Sequence, residues 1–427
     1  MLNPDRHDLN NTVDHLFRYE AGKMVSVLTK IFGTENLETA EDVVQDTLIQ
    51  ALQIWKIKGI PENPAAWLFR VAKNKAIDII RRNKHSMQYD FSDSERILLT
   101  SEYTLTITMD NLWKEDLIKD DLLRMMFTCC HPEISQENQI TLILKTLCGF
   151  SIKEIAKTFL STEDTIAKRL YRTKEFFRQH KIKLEIPSVG EIRQRTLAVL
   201  NSIYLLFNEG YNATESEALI RHDMIGEAMM LCKLLTENKN TQIPEAFALM
   251  ALMCFHSSRS DGRMTAEGEI ILLERQDRKK WDLNLIKRGN EYMEKAAFGD
   301  ILSPYHLEAA IAFEHCIAES FEKTNWKRIL EYYQWMERLS PSPITDLNKV
   351  AVIMHLYGAS QALHALESIK EKKKLESYYL YYSLLGEIYS RLNQSTLARD
   401  YFESAIKLTH SETEKKMLNR KIAALLN

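Results

Sequence analysis

Apolar residues return every three or four positions along most of this chain, the spacing that places them on one face of an α-helix. Val43, Val44, Leu48, Ala51, Leu52 and Trp55 make one such stripe, leaving Asp42, Gln45, Asp46 and Gln53 on other faces. Thr39 with Asp42 reads as a capping box opening that helix. The segment Pro61-Glu62-Asn63-Pro64 then interrupts the pattern. Asn63 suits an N-cap and Pro64 the first helical position, where a missing N–H costs nothing, so a helix is predicted from Pro64 to about Asn83. A second block runs from Asp120 to about Leu184. Within it Gly149 ends one helix, Ser151 with Glu154 caps a short helix through Phe159, and Ser161 with Asp164 caps another to about His180. Ile152, Ile155, Ala156, Phe159, Ile166, Leu170 and Phe177 supply its buried contacts. Two helices about a three-residue turn, the second one basic, predict a helix-turn-helix. Between the blocks, His85 to Glu115 is rich in Ser, Thr and Asp without periodicity and reads as a flexible linker. After Pro187 the helical pattern resumes. Near the end, Leu385-Gly386-x-x-Tyr389 followed by Ala398-x-x-x-Phe402 has tetratricopeptide spacing.

Composition narrows the class. With 13 Gly and 9 Pro in 427 residues there is little turn chemistry for an all-β protein, and the expected fold is all-α with two or three domains. No apolar run reaches the ~20 residues that a bilayer crossing requires, so no membrane contact and a cytoplasmic location are expected. The six cysteines show no C-x-x-C spacing and read as free core thiols. The net charge of -3 conceals two local fields. Arg70, Lys73, Lys75, Arg81, Arg82 and Lys84 accompany the single acid Asp78. Lys168, Arg169, Arg172, Lys174, Arg178, Lys181 and Lys183 accompany only Glu175. Two basic helices stand out from a near-neutral background, as phosphate binding requires.

Three segments taken together carry a resemblance. AEDVVQDTLIQALQIW, PENPAAWLFRVAKNKAIDIIRR and GFSIKEIAKTFLSTEDTIAKRLYRTKE resemble regions 2 and 4 of extracytoplasmic-function (ECF) sigma factors, over nearly all of residues 8–184. The resemblance implies core RNA polymerase and promoter DNA as partners. It places Asp42, Gln45 and Asp46 on a polymerase-docking face. For the -10 element it implies Arg70, Lys73, Arg81 and Arg82 at phosphates, with Glu62, Asn63 and Asn74 at base edges. For the -35 element it implies Thr165, Lys168, Arg169 and Arg172 in the major groove, with Lys174 and Arg178 at phosphates. Ala167 and Lys168 depart from the family pattern, so the preferred -35 sequence is not carried over. Trp67 invites base stacking, but it sits four residues before Val71 on the apolar side and reads as core.

The expected organisation is a region 2 domain (1–86), a linker (87–117), a region 4 helix-turn-helix domain (118–186), a helical extension (187–290) and a tetratricopeptide-like domain (291–427). Asn208-Glu209-Gly210-Tyr211, Asp261-Gly262-Arg263 and Glu274-Arg275-Gln276-Asp277-Arg278-x-x-Trp281 resemble the long C-terminal extension of a sigma subgroup. That extension is expected to regulate, through a protein partner or an intramolecular contact. No nucleophile–base pair, phosphate loop or metal-ligand spacing is present, so no catalysis, metal or cofactor is expected. Cys129-Cys130-His131 reads as structural. Two rivals remain at this level: a one-component helix-turn-helix regulator with a sensing repeat domain, and an enzyme with an accessory DNA-binding region.

Overall fold

The computed structural model describes residues 4–82, 111–159, 161–188, 190–211, 221–265, 269–370, 372–409 and 411–425. These form eighteen α-helices and no strand, with a lone bridge between Met264 and Ile270. The all-α expectation holds. The helices gather into two compact units, one of residues 1–206 with 226–241, the other of 207–225 with 242–427.

In the first unit α1 (Pro4–Phe32) is stopped by Gly33, whose φ of 87° suits glycine. A 3-10 turn, Thr34–Asn36, leads directly into α2 (Leu37–Lys58). The capping box expected at Thr39 is therefore not the start of α2. The helix is already running at Leu37, a buried residue that extends the apolar face two positions earlier. Asn63 caps α3 (Pro64–Arg82) as expected, its Oδ1 accepting from the Ala66 N–H at 3.0 Å. The linker expected over 87–117 falls outside the described residues as far as 110, and α4 (Glu115–Cys129) begins before its expected end. α5 (Gln136–Thr146) follows, then α6 (Ile152–Thr158) and α7 (Glu163–His180). Ser151 and Glu154 make the expected capping box, but α7 is capped by Thr162, which accepts from Thr165 N–H at 3.2 Å, rather than by Ser161. Ser161 is instead tied back to α6, its N–H donating to the Ala156 carbonyl at 2.9 Å, and Thr162 is left to cap a helix whose first residue is Glu163.

α8 (Ile192–Tyr211) and α9 (His222–Glu237) carry the chain from one unit into the next. In the second unit α10 (Pro244–Ser257) is buried nearly all round, as expected for a central helix. It packs against α11 (Leu283–Ala296) and α12 (Pro304–Ile317). A Cβ on Gly289 of α11 would stand 2.4 Å from the Phe255 ring, so only glycine permits this approach. α13 (Trp326–Leu339), α14 (Pro343–Tyr357), α15 (Ala359–Glu367), α16 (Tyr379–Arg391), α17 (Ser395–Leu408) and α18 (Glu412–Ala424) then pack each on its predecessor. Among the described residues no helix is long and apolar enough to cross a membrane. All six cysteines are free, five of them buried.

The α16–α17 pair explains its sequence pattern. Tyr389 stacks on Tyr401 at 5.3 Å, and a Cβ on Gly386 would stand 2.6 Å from the Phe402 ring. Gly386→Ala should therefore overpack this contact and destabilise the second unit by about 1–3 kcal/mol. Urea unfolding of the full chain measures this, and an unchanged midpoint for the second unit would refute the close approach.

Candidate nucleic-acid interface

Burial sorts α2 into two faces. Val43, Val44, Thr47, Ala51 and Trp55 are buried, whereas Asp42, Gln45, Asp46 and Gln53 are exposed. Leu52, expected in the buried stripe, is 53% exposed, and Ile49 is 52% exposed. The buried stripe runs through Val44, Thr47, Ala51 and Trp55; Leu52 lies one position, about 100°, past Ala51 and falls outside it. The outer face thus carries three polar residues followed by two apolar ones at helical spacing. Sequence reading missed Ile49, and its signal was an apolar residue three positions after Asp46, out of phase with the core.

α3 is amphipathic in the same way. Leu68, Ala72, Ala76, Ile77 and Ile80 are buried, while Arg70, Asn74, Arg81 and Arg82 are exposed and Lys73 and Lys75 are half-buried. Asp78 lies among them, 3.7 Å from Arg81 and accepting through its carbonyl from Arg82 at 3.3 Å. Lys75 reaches Asp46 of α2 at 3.9 Å. Glu62 and Asn63 lie exposed at the start of the helix, with Asn63 engaged as the cap. Trp67 packs edge-on against Trp55 at 5.5 Å, and Trp55 meets Phe17 at 5.4 Å, which accords with a core role for Trp67.

On α7 the buried residues are Ile166, Leu170, Thr173 and Phe177. Thr165, Lys168 and Arg172 are exposed on the outer face. Lys168 pairs with Asp164 at 2.6 Å, and Arg169 is half-buried, 2.9 Å from Glu137. The C-terminal half of α7 is engaged differently. Lys174 Nζ lies 2.7 Å from Glu41 Oε2 of α2, with the two side chains only 14% and 10% exposed. Arg178 sits between Glu175 at 2.5 Å and Glu38 at 3.6 Å. The Thr34 hydroxyl donates to the Ile182 carbonyl beyond the end of α7.

These contacts belong to a wider seam. Arg18 of α1 pairs with Glu154 and lies 4.8 Å over the Phe150 ring. Lys30 meets the fully buried Asp121 at 3.0 Å; burial raises that carboxyl's pKa, and the ammonium opposes the shift. Gly22 is the point of closest approach, since a Cβ there would lie 2.0 Å from the Leu147 carbonyl oxygen. A cleft of about 240 Å³ remains between the two segments. Gln45 lines it from α2, and Ala167, Tyr171 and Lys174 line it from α7. The expected polymerase face and the expected -35 helix therefore share one cleft. Among the described residues no group of acids, histidines and cysteines could hold a metal ion.

Residues 16–86 match the family Sigma-70 region 2, and residues 195–297 match a family of unknown function, DUF6596. Uncharacterized protein R00370 of Rhizobium meliloti (strain 1021) is 34% identical over 379 residues, 89% of this chain and 88% of that protein. The ECF RNA polymerase sigma factor SigW of Bacillus subtilis (strain 168) is 24% identical over 146 residues, 34% of this chain and 76% of the relative. The ECF RNA polymerase sigma factor SigL of Mycobacterium tuberculosis (strain ATCC 25618 / H37Rv) is 29% identical over 139 residues, 32% of this chain and 72% of the relative. No solved structure matches. The chain is a sigma-70 family protein, and over most of its length it belongs to one family with the Rhizobium meliloti protein.

The Lys174–Glu41 pair can be weighed directly. Glu41 Oε1 is buried without a hydrogen-bond partner, so the pair is imperfectly compensated. Lys174→Met alone strands a buried carboxylate and should destabilise the first unit by about 3 kcal/mol, while Glu41→Met with Lys174→Met should recover most of that loss. A double-mutant cycle by denaturant unfolding checks this, and additive effects would rule out the coupling.

Proposed function

We propose that the chain is an ECF-type sigma factor that joins core RNA polymerase and directs it to promoter -10 and -35 elements, with the second unit as a fused regulatory domain. The carrying observation is the pair of faces within the segment similar to Sigma-70 region 2: a basic face on α3 beside a mixed acidic and apolar face on α2. Asp42, Gln45 and Asp46 set register and encounter rate with the polymerase, and Ile49 and Leu52 add the apolar contact area that polar residues alone lack. Arg70, Lys73, Arg81 and Arg82 hold phosphates near the -10 element, where Glu62, Asn63 and Asn74 meet base edges. α6 and α7 act as the helix-turn-helix, with Thr165, Lys168, Arg169 and Arg172 toward the -35 major groove. The names of the SigW and SigL relatives agree with this reading.

Lys174 and Arg178 are assigned to phosphates in this reading, yet both are held by carboxylates of the first unit. The packed arrangement is then a closed form, and DNA and polymerase release it by competing for the same ions. The α16–α17 pair serves as a tetratricopeptide-like surface for a protein partner.

Adding the purified full chain to sigma-free core polymerase should yield promoter-specific transcripts. No transcript from any promoter tested, with helicity intact, would refute the reading. Ile49→Lys should weaken binding to core polymerase roughly tenfold, a cost of about 1.4 kcal/mol, without loss of helix content. Arg70→Ala should reduce the slope of log affinity against log salt for promoter DNA by about one.

A further inference from the structure

Three sequence motifs outside the sigma-like region meet in the second unit. Tyr211 ends Asn-Glu-Gly-Tyr, Arg263 ends Asp-Gly-Arg, and Arg278 and Trp281 close the third motif. Tyr211 is buried with its ring 4.8 Å from that of His256 and 3.9 Å beneath the Arg263 guanidinium. Arg263 Nη1 also donates to the Tyr211 carbonyl at 2.6 Å. Arg259, just before the second motif, donates from Nη2 to His256 Nδ1 at 2.7 Å. Its guanidinium lies 6.0 Å over the Trp281 ring, and that of Arg278 lies 4.5 Å over the same ring.

The cluster is strongly cationic inside. Arg259 is 7% exposed and Trp281 4% exposed. Among the described residues no carboxylate lies within ion-pair distance of Arg259 or Arg278. Asp261, Asp277 and Asp282, close by in sequence, are exposed, the latter two capping the turn and helix that follow them, and Glu322 acts on Arg278 only from beyond ion-pair distance. Burying a guanidinium costs free energy that an indole face offsets only in part. Burial and the two arginines hold the His315 pKa down to about 3, and burial with Arg259 and Arg263 lowers that of His256. Neither imidazole adds charge at neutral pH.

The unsatisfied groups point to what is missing. Arg259 Nε, Arg278 Nη2 and Trp281 Nε1 are buried donors without a hydrogen-bond partner, as is His315 Nδ1 in the tautomer that carries its proton there. Native interiors rarely leave one such donor unmade, and here several adjoin two unneutralised cations. Arg278 and His315 are only half-buried, so the cluster reaches solvent on their side. Arg278 is anchored by donating from Nη1 to the His315 and Ala318 carbonyls at 2.6 and 2.7 Å, which leaves Nη2 free in a fixed position.

We propose that Arg259, Arg278 and the Trp281 indole N–H form a binding site for a small dianionic oxyanion, the phosphate or dicarboxylate portion of a metabolite. An oxyanion supplies both the missing acceptors and the missing negative charge, and guanidinium forks match its geometry. The site stands on the second unit alone, whatever the sigma-like region does.

The test uses the full chain, with inorganic phosphate and succinate as separate probes and sodium chloride at equal ionic strength as the reference. One of the two probes should raise the melting temperature of the second unit by several degrees over chloride, and which one does so identifies the oxyanion. Arg259→Gln and Arg278→Lys should abolish that rise. Arg259→Gln should leave the unliganded protein at least as stable as the original, since it removes an uncompensated buried cation. Arg275→Gln, on an exposed neighbour, should respond as the original does. Absence of a rise with either probe, confirmed by isothermal titration of the unsubstituted chain, overturns the proposal. So does an undiminished rise in a folded Arg259→Gln or Arg278→Lys variant.

Discussion

The ammonium of Lys174 meets the carboxylate of Glu41 across 133 residues of chain, in a setting where each side chain is almost wholly withdrawn from water. Much of the first unit depends on that contact. It fixes the C-terminal half of α7 against the start of α2, and with Arg178–Glu38 and the Thr34 hydroxyl it seals one end of the seam that Gly22 closes at the other. Glycine at position 22 lets backbone lie against backbone, and ion pairs then bind helices whose own apolar stripes are short. One carboxylate oxygen left without a partner makes this a tight but imperfectly balanced joint.

The second unit solves a different problem. Its core is conventional, with α10 sheathed by neighbours and glycine admitting the Phe255 and Phe402 rings at close contacts. Beside that core sit arginines stacked on Trp281 and Tyr211, and among the described residues the two over Trp281 have no carboxylate within ion-pair distance. A core selected for stability alone would place carboxylates there or dispense with the charges. The three motifs are thus explained together by one cluster, which neither helical periodicity nor tetratricopeptide spacing accounts for.

Much of the fold was legible because its rules are local. Helical period, the Asn63–Pro64 start and the Ser151–Glu154 box each act within one or two turns, and each was found where expected. The misplaced features were also local, but were decided from farther away. Thr39 lost the cap to an earlier start at Leu37, which is held in the core, and Ser161 lost it to Thr162 because its own N–H is bound to the Ala156 carbonyl at the end of α6. Leu52 looked like core and is exposed, since hydrophobicity states only a preference and the neighbours determine which positions are covered.

By itself the sequence determined the helical class, the two basic helices and the resemblance that the first unit carries. Those depend on residue type and on spacing of a few positions. Only the tertiary structure decided which cations remain available. Arg172 lies on an open face, Lys168 pairs there with Asp164, Lys174 and Arg178 are held by Glu41 and Glu38, and Arg259 and Arg278 have no carboxylate within ion-pair distance among the described residues. A charge has the same formula wherever it stands in the chain. Its partner, and therefore its energy and its use, comes from whatever the folded chain brings within a few ångströms.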